Sequence, residues 1–217
     1  IEPAMSQLLI TNLSEVATPL GSEPLTGAGQ AKVSRLSGVQ VLCRDGKIAC
    51  IGSREEIESE VGSLEAAERL DANAGTLVPG FVDPHTHLPW AGSREEEFSQ
   101  RLAGKTYMEI AAEGGGILST VRATRQASET DLTGGVLDRL DLMLRHGTTT
   151  AEAKSGYGLT LDNELKQLRA IHRASEEHPV DLVPPLLAAH ETPPEYRKER
   201  NRYLDVVCQE IIPATAE

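Results

Sequence analysis

The pattern of apolar and polar positions changes character near residue 75. Before it, short apolar runs alternate with turn residues and predict strands: Leu8 to Leu13, Val39 to Cys43 and Lys47 to Ile51. The last two flank Asp45-Gly46, a hairpin signal because both central residues of that turn need positive φ. Ser14 to Gly38, rich in Gly, Pro, Ser and Thr, reads as a long loop, and Ser53 to Leu70 carries a short, charged, helix-like stretch. Beyond Gly75 strands and helices alternate. Leu77, Val78, Phe81 and Val82 predict a fully buried strand. A polar loop and a helical stretch over Thr106 to Ala112 follow, broken by Gly114-Gly115-Gly116. Leu132, Val136, Leu137, Leu140, Met143 and Leu144 recur at helical spacing up to Gly147. Thr148 to Ala153 is a β-branched strand, Leu161, Leu165, Leu168 and Ile171 mark another helix, and Val180 to Ala189 reads as a third strand ending in His190. A last helix places Leu204, Val207, Ile211 and Ile212 on one face.

Such alternation implies right-handed crossovers and a parallel sheet. The fold expectation is therefore α/β. Residues 1–76 form a small β-rich, sandwich-like domain, and residues 77–217 form the first part of a (β/α)8 TIM-type barrel. About three barrel strands precede Glu217, whereas a closed barrel has eight over roughly 250 residues. Ile1 to Ala4 precede the first methionine.

Composition narrows the partners. A net charge of −12 disfavours nucleic acid and anionic membranes, and no apolar run approaches the ~20 residues of a membrane span. There is no basic-then-apolar leader pattern at the start of the sequence. Cys43, Cys50 and Cys208 are few, odd in number and scattered, which suits free thiols in a reducing cytoplasm.

The candidate chemistry gathers at predicted strand ends, where α/β sheets carry their sites. His85 and His87 lie two apart on a strand, so their imidazoles share a face and can reach one metal ion. A bare His-x-His is equally well a pair of satisfied strand-end histidines. Tyr157 sits on a glycine-flanked loop after the second strand, and His190 ends the third.

The motif Val78-Pro-Gly-Phe-Val-Asp-Pro-His-Thr-His87 resembles the first-strand motif of the amidohydrolase superfamily. Ala91-Gly-Ser-Arg94, Gly104-Lys-Thr-Tyr-Met-Glu-Ile110, Gly114-Gly-Gly-Ile-Leu-Ser-Thr120, Lys154-Ser-Gly-Tyr-Gly158, Ala189-His190 and Pro193-Pro-Glu-Tyr196 narrow the likeness to the imidazolonepropionases of histidine degradation. Ala188 departs from the family's usual glycine. The family's chain is much longer, so this sequence reads as its N-terminal portion, expected to be inactive in isolation.

The resemblance implies a metal-dependent cyclic amide hydrolase that converts 4-imidazolone-5-propanoate and water to N-formimidoyl-L-glutamate. By that likeness His85 and His87 hold one divalent ion, zinc or iron. Arg94 takes the substrate's propionate, Tyr157 and His190 contact the substrate, and Tyr107 is a further contact. Without the resemblance, Arg94 reads as a surface salt bridge to Glu95–Glu97, and Tyr107 as a packing residue. No catalytic base is assigned; it and the later metal ligands are expected beyond residue 217. The partner is a small molecule, and the full-length family members tend toward homodimers. His146, His172 and His178 look incidental, and a metal-bridging role for carboxylated Lys154 is a minor rival. The alternatives are another cyclic amidohydrolase of hydantoinase or dihydroorotase type, and a non-catalytic fragment that needs the rest of its barrel.

Overall fold

The computed structural model describes residues 7–21 and 23–216. Ile1 to Ala4, and Ser22 within the predicted loop, lie outside the described residues. The chain divides into two compact units between Pro79 and Gly80, three residues beyond the 76/77 boundary read from the sequence.

The first unit holds two sheets. One has the order β5-β4-β1-β6, from β1 (Gln7–Thr11), β4 (Gln40–Arg44), β5 (Lys47–Gly52) and β6 (Glu68–Asp71). The other has the order β3-β2-β7, from β2 (Glu15–Pro19), β3 (Val33–Leu36) and β7 (Thr76–Leu77). The β4–β5 hairpin turns at Asp45 (φ 50°) and Gly46 (φ 74°), as the Asp-Gly signal predicts. Helix α1 (Arg54–Val61) starts on a Ser53/Glu56 capping box and buries Ile57 against Leu9, Leu42 and Leu64.

The expected loop over Ser14 to Gly38 instead contains β2 and β3, paired antiparallel from Val16↔Leu36 to Pro19↔Val33. Its turn-rich composition hid a short strand pair. Glu15 and Arg35, joined at 2.7 Å, mark the match across that pair.

The second unit carries a parallel three-stranded sheet, β10-β9-β8, from β8 (Phe81–Thr86), β9 (Thr148–Ala153) and β10 (Asp181–Val183). Between β8 and β9 run α2 (Glu95–Leu102), α3 (Tyr107–Ala112), α4 (Ile117–Gln126) and α5 (Glu129–Arg145). Helix α6 (Leu161–Glu177) connects β9 to β10. The chain continues through α7 (Arg200–Val206), a π-turn over Val207–Ile211 and α8 (Ile212–Thr215). One core packs Val136 and Leu140 of α5 and Ile171 and Ala174 of α6 on Ala151 and Ala153 of β9. Full burial of a side chain such as Leu140 contributes about 1.5–3 kcal/mol. A second core joins Val121, Leu159, Ala188, Tyr203, Val207 and Ile211. Among the described residues no helix is long and apolar enough to cross a membrane.

Several expectations are corrected here. The predicted buried strand is two strands. Leu77 belongs to β7, Pro79 cannot donate to a ladder, and β8 begins at Phe81. Nor is β8 buried: it is a sheet edge, and Phe81 and Val82 are 60% and 65% exposed. Strand β10 stops at Val183 because Pro184 and Pro185 have no N–H, so His190 stands in a loop rather than at a strand end. In the last helix Tyr203, Val207 and Ile211 face inward while Leu204 and Ile212 are exposed. The buried stripe follows the i, i+4, i+8 spacing through the π-turn. Helix α2, which buries no residue, gave no apolar period to read.

Candidate active site

Parallel pairing of β8, β9 and β10 sends their carboxyl ends the same way, and the loops that follow bring three rings together. His87 lies one residue past β8, Tyr157 four residues past β9, and His190 on the loop after β10. The His87 ring stacks on His190 at 4.7 Å between centroids and 11° between planes. Tyr157 lies 5.0 Å from His87 and 5.4 Å from His190. His85 stands at the edge of the group, 6.0 Å from His87 and steeply inclined to it.

The electrostatics fit this crowding. Burial pushes the His87 imidazole down to about 4, reinforced by the neighbouring His190, His85 and Lys154, with the Ser155 backbone opposing. His87 is therefore neutral near pH 7, and its buried Nδ1 has no hydrogen-bond partner. A neutral imidazole with an uncommitted buried nitrogen is the state a metal ligand requires. His87 thus suits one position of a metal site by donor chemistry, and the His85 ring lies 6.0 Å from it. Among the described residues no group of three or more His, Cys, Asp or Glu side chains is arranged to hold an ion. Three protein ligands are usual for a catalytic zinc, so two histidines alone would be a partial set.

His190 Nδ1 lies 3.1 Å from the Gly156 carbonyl oxygen, which makes Nδ1 the donor of that bond and leaves Nε2 for another partner. Gly156 is required at this approach. Its φ is +117°, and a Cβ would meet the Leu187 carbonyl oxygen at 3.1 Å and the His190 Cβ at 3.2 Å. Burial raises the Tyr157 phenol above its ordinary range, with Arg94 opposing, so it is a neutral hydroxyl.

Arg94 precedes α2 and lines a cavity of about 160 Å³ with Trp90, Gly92, Thr120 and Tyr157. Its Nε and Nη2 both donate to Glu97 Oε2, at 2.9 and 2.8 Å, while Glu97 Oε1 accepts the Gly116 N–H. The salt bridge expected from the bare sequence is therefore present, and the remaining guanidinium donors are uncommitted to Glu97. Tyr107 shares a neighbouring cavity with Arg94, lined also by Glu97, Phe98 and Arg101. It is half exposed. A larger opening of about 330 Å³ is lined by Arg94 but also by Glu95, Glu96, Glu97 and Glu113. That excess of carboxylates makes it a poor seat for an anion, so the smaller cavity is the better candidate.

Lys154 and the remaining histidines have settings of their own. Lys154 is paired with Glu152. His146 is the C-cap of α5. His172 is exposed beside Glu176, and His178 bonds Asp141 Oδ1 at 3.3 Å.

Four residues of this region were not singled out from the sequence: Trp90, Thr120, Glu164 and Gln167. Glu164 is fully buried, and its carboxylate accepts the N–H groups of Gly156, Gly158 and Leu159 at 2.9, 2.9 and 2.6 Å. The available signal was an acid and an amide at i and i+3 in the opening turns of a helix, just after a glycine-rich loop.

No family model matches the chain. Curated relatives do. The chain is 48% identical over 209 residues to the imidazolonepropionase of Symbiobacterium thermophilum, covering 96% of this chain and 49% of that protein. It is 43% identical over 216 residues to that of a Geobacillus species, covering 98% and 51%. It is 41% identical over 212 residues to that of Thermoanaerobacter pseudethanolicus, covering 98% and 50%. Among solved structures, guanine deaminase of E. coli superposes with a TM-score of 0.60 at 15% identity, covering 94% of this chain and 43% of that one. That likeness speaks for the fold alone. The chain is similar to curated imidazolonepropionases along nearly its whole length and spans about half the length of the relatives it matches.

Proposed function

We propose that this chain carries the substrate-recognition side and two metal ligands of an imidazolonepropionase. The reaction hydrolyses 4-imidazolone-5-propanoate to N-formimidoyl-L-glutamate: water adds at the ring carbonyl, the ring C–N bond breaks and the nitrogen takes a proton. The observation that carries the reading is the convergence of His87, Tyr157 and His190, with Tyr157 also lining the cavity of Arg94. In this reading residues 1–76 are the β-sandwich-like domain and residues 77–217 the first part of a β/α barrel, in a cytoplasmic enzyme that dimerises at full length.

His85 and His87 would hold the ion, zinc or iron. Such an ion, when bound, supplies a water acidified toward pKa ~7. The chain's own residues bind and orient. Arg94 offers paired donors in one plane to the propionate, a geometry a lysine lacks. Tyr157 packs against the substrate and excludes water from one side. His190, its Nδ1 engaged by Gly156, presents Nε2 to a ring N–H or, protonated, to the developing oxyanion. Tyr107 closes the Arg94 side.

The test is binding of imidazolonepropanoate, hydantoin and dihydroorotate by calorimetry, on wild-type protein and Arg94→Met. The imidazolone should bind tightest, and Arg94→Met should weaken it about 10- to 100-fold, the loss of one charge-assisted pair, leaving hydantoin unchanged. Equal affinity for all three ligands, or no effect of Arg94→Met, would count against the assignment.

A further inference from the structure

The loops after β8 and β9 are both held by one side chain of α6. Gln167, on α6, is fully buried. Its Oε1 accepts the N–H groups of Gly156 and Tyr157 at 3.3 and 3.2 Å, and its Nε2 donates to the Pro89 carbonyl at 2.7 Å. Pro89 is two residues after His87 and directly before Trp90. The carbonyls on either side of it are held from α5: Arg139 donates to Leu88 at 2.7 Å and to Trp90 at 3.1 Å, and its guanidinium lies 3.8 Å above the Trp90 ring. Three successive carbonyls of this loop are thus fixed by two helix side chains. Of these two helix side chains, Gln167 is the one that reaches both loops.

We propose that Gln167 is a positioning residue that sets the spacing of Tyr157 from His87 and Trp90, and so the width of the site between them. Its chemistry suits the task. An amide carries its donor and its acceptor on separate atoms, so it can donate to a carbonyl on one side and accept from two N–H groups on the other. A glutamate would set a second carboxylate beside Glu164, which already accepts the Gly156 N–H. Methionine matches the length but offers neither a donor to Pro89 nor a strong acceptor. The inference rests on the imidazolonepropionase reading only in making Tyr157 a substrate contact; the tie itself concerns the unliganded protein, so its test needs no substrate.

Two measurements decide it. In the wild-type protein the Tyr157 amide, outside any helix or strand, should exchange about 100-fold slower than an unprotected loop amide, as a buried hydrogen-bonded group does. The second compares wild type with Gln167→Met by ring-to-ring nuclear Overhauser contacts and by the fluorescence of Trp90, the chain's single tryptophan. The variant should lose the Tyr157–His87 contact and show Trp90 more open to quencher, while contacts within the Val136–Leu140–Ile171 core persist. A merely structural glutamine would lower the melting temperature without separating those rings. Wild-type exchange of Tyr157 at the unprotected rate, or a folded variant with both ring readouts unchanged, would overturn the proposal. If Gln167→Met does not fold, the exchange measurement alone decides.

Discussion

Two parts of the second unit carry the proposed substrate contacts, and they are held in opposite ways. The loop from Gly156 to Leu159, which presents Tyr157, is pinned from beneath by buried groups: Glu164 takes three of its N–H groups, Gln167 two, and Arg125 donates to the Gly158 carbonyl at 2.7 Å. The segment from Arg94 to Ala112 rests instead on partly exposed ion pairs, Arg94 with Glu97 and Lys105 with Glu113. Of its two helices, α2 buries no residue and α3 only Ile110. Buried bonds define geometry because breaking one strands a desolvated group. Exposed pairs exchange readily with water. The rings around the histidines are thus preorganised, while the arm bearing Arg94 and Tyr107 can adjust to a ligand.

The strongest way to break this contrast is Glu164→Ala. It leaves the Gly158 and Leu159 N–H groups without an acceptor and Gly156 with only its longer bond to Gln167, and Leu159 is held at φ +57°, where leucine is strained. Each orphaned N–H costs about 1–3 kcal/mol, so a loss of roughly 2 kcal/mol or more is expected in urea unfolding. A loss under about 1 kcal/mol would show that the loop is not held as described.

Next in size is Gly158→Ala. An added Cβ would sit 2.5 Å from the Asn163 backbone carbon and 2.6 Å from the Glu164 nitrogen, so the loop must lift off α6. Overpacking of this kind costs about 1–3 kcal/mol, and Tyr157 should separate from His87 by the same Overhauser measurement. By contrast, Lys105→Met in the arm removes a pair with about 39% and 56% exposed partners, and should change stability by at most ~0.5 kcal/mol in the same unfolding assay.

The same division explains what the sequence could disclose. Residues proposed to touch a ligand announce themselves by type: His85, His87, Tyr157 and His190 are chemically conspicuous, and glycines beside Tyr157 mark a tight approach. Regular elements with an apolar period, α5, α6 and β9, were equally legible. The supporting groups were not. Glu164 and Gln167 read as polar positions on an amphipathic helix, and only the path of the preceding loop turns them inward. The edge position of β8 was hidden for a related reason: Phe81 and Val82 look like core by hydrophobicity, and burial depends on neighbours that a single strand's pattern does not reveal. Proline spoke clearly at Pro184 and Pro185, yet the apolar residues around it drew the predicted strand too far.

The smallest expected effect concerns the hinge of the adjustable arm. The Arg94 guanidinium, with help from the Gly116 N–H, holds the Glu97 carboxyl below its usual range against the opposing effect of burial. A carboxyl whose folded pKa is depressed binds fewer protons in the folded than in the unfolded state, so its contribution is complete above the ordinary glutamate value, about 4.3. It fades as pH falls through the lower folded value. Arg94 is 40% exposed, so the contribution should stay below about 1 kcal/mol after solvent screening. Glu97→Gln should therefore flatten the pH dependence of stability in that acid window by this small amount and leave the neutral-pH Tyr157–His87 contact intact. A variant that instead displaced the rings at pH 7 would show that the arm and the pinned loop form one rigid unit, and the contrast between them would be lost.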